Sequence, residues 1–402
     1  MCCITYFSLF FVTLASAVIF SAIYGYCFWL DESNGNVCLF GGNAIELDDE
    51  EEQDLEANVI SSVEEKKTVI STDDTIVEGL LPANIEQEIE KKGVLLRVQA
   101  ESGTFYNITK VIGKGGFGEV YQADVEQEGS GVDVKLPSRV AIKAEKSIRL
   151  NMEIRILNKM RGFIHFCTLY DRGFDPRSEN SYMIMTLLGP NLSFIRKAMP
   201  QQHLTLSTAI RCGIQMLHAI EELHSQGFVS RDVKPSNFAI GLPNEQRRLL
   251  YMLDFGIAQA YLNENGEPYP PNNNCAWRGT ARYCALANHR RYSPSPKDDI
   301  ESWFYSMVEL ILGRLPWAHF GKYGQFKVFG MKLACRGYHQ EYFFGGIPPE
   351  LFEILTSVHE YSYYSKPEYS KFYSTLMRIM KANEISFSDD YDWEHVFKEY
   401  IQ

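Results

Sequence analysis

The stretch VSRDVKPSNFAIG (residues 229–241) places Arg231, Asp232, Lys234 and Asn237 within seven residues, inside an apolar frame of Val229, Val233, Phe238, Ala239 and Ile240. Polar groups so close to a core are costly unless each is paired or put to use. A solvated turn and a reaction-bearing loop both fit the composition. What else the chain carries, and in what order, decides between them.

Upstream, IGKGGFGEVY (residues 112–121) sets Gly113, Gly115 and Gly118 in a G-x-G-x-x-G pattern. Glycines let a backbone close on phosphate oxygens. A dinucleotide-binding turn would open a helix at this point. Glu119-Val120-Tyr121 instead continues as a strand, which favours a glycine flap between two strands. VAIK (residues 140–143) buries the stem of Lys143 and offers its ammonium to anionic oxygens. NMEIRILNKM (residues 151–160) is amphipathic and puts Glu153 where it can aim Lys143. MLDFG (residues 252–256) ends an apolar run at Asp254, beside a Gly turn, a position suited to holding Mg2+ against phosphate. Taken singly, these are a hairpin, an edge lysine, an exposed helix carboxylate and a turn aspartate. Taken together, flap, strand Lys, helix Glu, R-D-x-K-x-x-N and D-F-G stand in the order that a phosphoryl-transfer site of the protein-kinase kind requires.

The chain resembles the protein kinases, and within them the casein kinase 1 group and its tau-tubulin kinase branch. The residues that carry this are LLGPNL (187–192), RDVKPSNFAIG (231–241), RGTARY (278–283), KDDIESWFYSMVEL (297–310), GRLPW (313–317), KPEY (366–369) and YDWE (391–394). The resemblance spans about residues 103–397. It implies an α+β bilobal kinase fold within 94–398: a small β-rich N-lobe with one main helix over about 94–187, and a larger, mostly helical C-lobe over about 188–398. It implies transfer of the ATP γ-phosphate, with Mg2+, to Ser or Thr of protein substrates. Asp232 would be the base and Lys234 its phosphate-neutralising partner, with Asn237 and Asp254 as metal ligands. Ile112, Gly113, Gly115, Gly118, Val120, Ala141, Lys143, Glu153, Met185, Thr186 and Leu188 would surround the nucleotide, with Met185 as gatekeeper. Arg278, Thr280 and Arg282 would face the substrate. Together with Arg290 and Arg291 they imply a preference for acidic or already phosphorylated peptides, since guanidinium forks suit phosphate. Asp299 would brace the catalytic loop, and Ala285-Leu286-Ala287 stands where most kinases carry A-P-E.

Two departures support a rival reading, a pseudokinase or scaffold without turnover. Ser230 replaces the usual His, which is expected to loosen Phe255. Lys143 and Glu153 are only ten positions apart, a few fewer than usual in the branch, which clips the loop before the helix and weakens the expected ion pair. The basic tails of some relatives are expected to be missing after the kinase lobe.

Ahead of this region the chain has a different character. Residues 4–30 contain no charged residue, long enough for a membrane-spanning helix. They read as a single-pass anchor over residues 1–30, with the kinase part in the cytoplasm. The competing readings are a cleaved signal, with Ala15-Ser16-Ala17 or Phe20-Ser21-Ala22 as its small-residue site, and a buried helix. Residues 31–92 hold 18 acidic and 4 basic residues and read as a disordered acidic spacer. With the net charge of −12 concentrated there, the remainder is near neutral, and no basic run points to nucleic acid. Nine scattered cysteines fit reduced thiols better than a disulfide framework or a metal site. The sequons at Asn107 and Asn191 read as chance matches.

Overall fold

The computed structural model describes residues 26–31, 36–41, 96–114, 118–126, 136–145, 148–175, 180–242, 246–320, 324–336 and 340–396. They fall into two compact units, one within Met1–Asp74 and one within Thr75–Gln402.

In the first unit, β1 (Tyr26–Asp31) and β2 (Asn36–Gly41) form an antiparallel hairpin with Tyr26 opposite Gly41 and Asp31 opposite Asn36. This corrects two expectations. Residues 26–30 are strand rather than the end of a spanning helix, and residues 36–41 are strand rather than disordered spacer. The physical reason is local: Tyr26, Phe28, Trp29, Val37 and Phe40 are aromatic or β-branched, types that favour strands. No helix among the described residues is long and apolar enough to cross a membrane. Residues 1–25 and 42–95, which carry the rest of the anchor and spacer expectations, lie outside the described residues.

In the second unit, runs rich in Val, Ile and aromatics make the expected strands. These are β3 (Leu96–Gln99), β4 (Phe105–Lys114), β5 (Gly118–Val125), β6 (Arg139–Glu145), β7 (Leu169–Asp175) and β8 (Asn180–Met185). They pair antiparallel in the order β3-β4-β5-β6-β8-β7. Alternation splits the sheet's faces. Val140, Ile142, Tyr182 and Ile184 pack with Tyr106, Ile108 and Tyr121 on one side. Ala141, Met183 and Met185 join Leu150, Ile154 and Leu157 of α1 (Ile148–Lys159) on the other. That second face leads into the core of the helical lobe.

The helical lobe is built on α3 (Leu206–Ser225), which follows α2 (Leu192–Ala198), and on α5 (Pro296–Leu312), which follows the short α4 (Leu286–His289). Helix α5 is buried nearly all round, as its apolar pattern predicts. It starts with a Ser295–Asp298 capping box and ends at Gly313 in the left-handed region. Where it crosses α3, Gly213 packs against the Met307 side chain, with a Cβ there 2.4 Å from Met307 Sδ, and Trp303 Nε1 donates to the Gly213 carbonyl at 3.0 Å. Further helices are α6 (Gln325–Ala334), α7 (Gln340–Phe343), α8 (Leu351–Glu360), α9 (Tyr369–Ala382) and α10 (Asp392–Val396). The YDWE segment docks through buried Arg211, which donates to the carbonyls of Asp389 and Asp390 at 2.6 and 2.8 Å and lies over the Tyr391 ring. The expected small β lobe and large helical lobe are both present. Asn191 caps α2 through its side chain, and Asn107 donates to Glu126, so both sequon asparagines serve packed structure. Cys167, Cys212, Cys275, Cys284 and Cys335 are free thiols.

Candidate active site

The loop quoted at the outset leaves strand β9 (Phe228–Val229) and passes through a 3-10 turn (Pro235–Asn237) into β10 (Phe238–Ile240). Its main chain would leave amides unpaired beside the core. Asp299, on α5, accepts them: Oδ2 takes the Ser230 N–H at 2.6 Å and Oδ1 the Arg231 N–H at 2.9 Å. His224 Nε2 donates to the same carboxylate at 2.9 Å, and His224 Nδ1 accepts from the Tyr369 hydroxyl. With Arg231 at φ 69°, the loop then turns Asp232 outward. Asp232 Oδ2 pairs with Lys234 Nζ at 2.7 Å. Asp232 Oδ1 accepts the Thr280 N–H at 3.1 Å and its hydroxyl at 2.8 Å, while Lys234 Nζ donates to Thr280 Oγ1 at 3.0 Å. Asn237 Nδ2 donates to the Asp232 carbonyl at 2.9 Å, which leaves its amide oxygen as the atom with metal-ligand chemistry.

Strand β11 (Leu250–Met252) pairs with β10, and the Leu253 N–H donates to the Asn237 carbonyl at 2.9 Å. This brings Asp254, at φ 61°, beside the loop. Lys143, on β6, reaches it from the sheet: Nζ is 2.7 Å from Glu153 Oε2 and 3.3 Å from Asp254 Oδ1. The weak ion pair expected from the short spacing is therefore corrected. Only two residues separate the end of β6 from the start of helix α1, and Glu153 sits on its second turn, within reach. Burial works to lower the Lys143 pKa, but Glu153 and Asp254 outweigh it and hold the ammonium well above its ordinary range. Burial works to raise Asp254, yet Lys143 and then Lys234 keep its carboxyl below the usual aspartate value. Phe255 is 1% exposed and stacks on Phe166 with ring centroids 5.8 Å apart, so it is packed despite Ser230. Ser230 Oγ accepts the Asp232 N–H at 3.4 Å.

The remaining expected nucleotide contacts sit on neighbouring strands. Ile112 is exposed on β4, and Val120 lies opposite both Gly113 and Lys143. Gly118 has a packing role as well, because a Cβ there would lie 2.3 Å from the Ala144 carbonyl oxygen. Ala141 lies opposite Met185, both buried. The Thr186 N–H donates to Thr168 at 3.1 Å, and Leu188 packs on the core. Gly115 lies outside the described residues. The carboxylates of Asp232 and Asp254, the Asn237 amide oxygen and the ammoniums of Lys143 and Lys234, with the Asp254 side chain 51% exposed, make a donor set suited to a hard divalent cation and phosphate oxygens.

On the peptide side the structure divides the arginines. Arg278 is exposed. Arg282 is drawn inward, with Nη1 3.4 Å from Glu309 Oε1 and Nη2 donating to the Ala318 carbonyl at 3.4 Å. Arg290 and Arg291 lie over the Phe329 and Trp277 rings. Sequence reasoning missed His224, Tyr369, Glu301, Glu309 and Lys332. A signal for the two glutamates was present: carboxylates within an all-apolar helix need buried partners.

The family profile described as protein kinase domain matches residues 106–362. The serine/threonine-protein kinase spe-6 of Caenorhabditis elegans is 31% identical over 300 residues, covering 72% of this chain and 76% of that protein. A Dictyostelium discoideum protein described as a serine/threonine-protein kinase is 30% identical over 293 residues, 72% of this chain but 56% of that protein. A nematode protein named as a candidate casein kinase I is 30% identical over 302 residues, 73% of this chain and 84% of its own length.

Proposed function

This chain belongs to the protein kinase family and is a serine/threonine kinase, and from that premise we propose that it is of the casein kinase 1 type, near the tau-tubulin kinase branch, with its transfer carried by Lys143, Asp232, Lys234, Asn237 and Asp254. The observation that carries the reading is their linkage in one cluster: Lys143 to Asp254, Asp254 beside Asn237, and Asn237 to Asp232 and Lys234. Protein kinase domains use ATP with Mg2+, which supplies the transferable phosphoryl group and the metal's charge. Asp254 and the Asn237 oxygen would hold the metal. Lys143, aimed by Glu153, binds phosphate oxygens. Asp232 accepts the proton of the substrate hydroxyl, and Lys234 steadies charge on the transferring group. Thr280, bonded to both, selects how the hydroxyl approaches. The substrate class, acidic or already phosphorylated peptides, draws support from exposed Arg278 and from the relative named as a casein kinase I.

The test is phosphotransfer to casein or an acidic peptide by the full chain and by Asp232→Asn. Losing the positioned base lowers the rate by about 10²–10⁴. Equal transfer by the two, or none by either, sinks the assignment. A neutral peptide serving as well as an acidic one removes the substrate preference while leaving the kinase reading in place.

A further inference from the structure

Lys332, on α6, has 0% exposure, and the transfer described above does not use it. Its ammonium donates to the carbonyls of Ala281 and Cys284 at 2.8 and 2.6 Å, and lies 3.4 Å from His289 Nε2. The rings of Tyr305 and Trp317 face it at 4.9 and 5.4 Å. Burial, and then Lys332 itself, push His289 down to about 3, so its ring is neutral and Nε2 can accept. Three N–H donors thus find three acceptors, and two π faces share the charge.

Its neighbours hold the same short stretch. Trp317 Nε1 donates to the Arg282 carbonyl at 2.8 Å. Glu309 accepts the Tyr283 hydroxyl at 2.5 Å, and Glu301 accepts the Leu286 N–H at 3.1 Å. Just before them, Gly279 at φ 95° lets the chain pass the Arg231 carbonyl, where a Cβ would come within 2.7 Å. Residues 281, 282 and 284 therefore all turn their carbonyls inward, and the stretch begins next to Thr280, which bonds Asp232 and Lys234.

We infer that Lys332 is a positioning residue for the peptide substrate: it fixes the main chain of residues 281–284, the wall that follows Thr280 and along which the phosphorylated peptide lies. The inference rests on the reading of Asp232 and Lys234 as the transfer groups. Core packing alone does not call for an ammonium here, because a buried charge is costly unless its hydrogen bonds are made. What the ammonium adds is a hold on two carbonyls of one loop, and the loop is one residue from the reacting hydroxyl's path.

The experiment is steady-state phosphorylation of an acidic peptide by the full chain, by Lys332→Met and by Lys332→Gln. Gln keeps two N–H donors without the charge. Lys332→Met is expected to raise peptide KM about 10-fold or more, with ATP KM and the Mg·ATP thermal shift within about twofold of wild type. Lys332→Gln is expected to recover part of that loss. An unchanged peptide KM in folded Lys332→Met overturns the inference. So does a parallel rise in ATP KM, or a failure of both variants to fold, which assigns the residue to the core. Absent transfer by the wild-type chain is a separate outcome, seen before any variant is compared, and it overturns the kinase reading together with this inference.

Discussion

Residues 230–237 and residues 279–286 are two irregular stretches hung on the same buried helix, yet by opposite chemistry. The first offers backbone N–H groups, and a carboxylate on α5 takes them. The second offers carbonyls, and an ammonium on α6 and an indole take them, with α5 glutamates holding its flanks. The difference teaches where information about a site resides. The catalytic loop displays its reacting groups in its own letters, within seven residues. The peptide wall displays almost nothing, because its holder stands 51 and 48 positions away.

The sharpest way to break the comparison is Asp299→Ala, which leaves the Ser230 and Arg231 amides and His224 without their acceptor. Stability should fall by about 3–5 kcal/mol, read from urea denaturation. Phosphotransfer by the surviving folded fraction should drop by about 10²-fold, since the loop's position is lost. A fully active Asp299→Ala variant would show that the catalytic loop holds itself.

Acid pH probes both stretches from behind. His165 is 4% exposed, donates to the Leu250 carbonyl at 2.7 Å, and so pins the strand that delivers Asp254. Burial lowers it from 6.5 to about 4, and His289 behind the peptide wall is lowered further. Between these values and 6.5 the unfolded chain binds protons that the folded chain refuses. Stability is therefore full above pH 6.5 and declines as pH falls toward 4, on the order of 3 kcal/mol for His165. Thermal unfolding across that window should show the decline, and His165→Gln should make it shallower, with the share of His289 remaining. A profile with the same slope in the variant would remove His165 from the account.

Glu309→Gln is a milder probe of the peptide wall. It keeps an acceptor for Tyr283 but loses the charge that faces Arg282, and should cost about 1–3 kcal/mol in a denaturant titration. It should also free Arg282 to meet an acidic peptide. The smallest effect is expected far from both stretches, at the exposed Arg172–Glu101 pair, with side chains 56% exposed on each side. Arg172→Ala should shift stability by less than about 1 kcal/mol, and a larger change in the same titration would mean that surface pairs contribute more here than assumed.

Much of the fold was legible beforehand. Runs rich in Val, Ile and aromatics such as RVAIKAE became strands, this one with a core on each face, and the apolar helix 296–312 became the centre of the helical lobe. Lys143, Asp232, Lys234, Asn237 and Asp254 were named from order and spacing, and the structure joins them. Four readings failed for identifiable reasons. The uncharged residues 26–30, read as the end of a spanning helix, and residues 36–41, read as spacer, are rich in aromatic and β-branched residues and pair as strands. The clipped spacing between Lys143 and Glu153 reads as a weakness, although a helix that starts after a two-residue gap restores the contact. Phe255 was expected to be loosened by Ser230, but Phe166 stacks on it.

By itself, the sequence determined which groups do chemistry and in what order, because glycine flaps, metal carboxylates and a base must occur as particular residue types close together along the chain. Tertiary structure alone decided who holds them: Asp299 with His224 and Tyr369 for one loop, Lys332 with Trp317 and Glu309 for the other. Those holders act through backbone amides and carbonyls, which every residue carries, so nothing in the local letters marks the partners until folding removes water and makes each unpaired group costly.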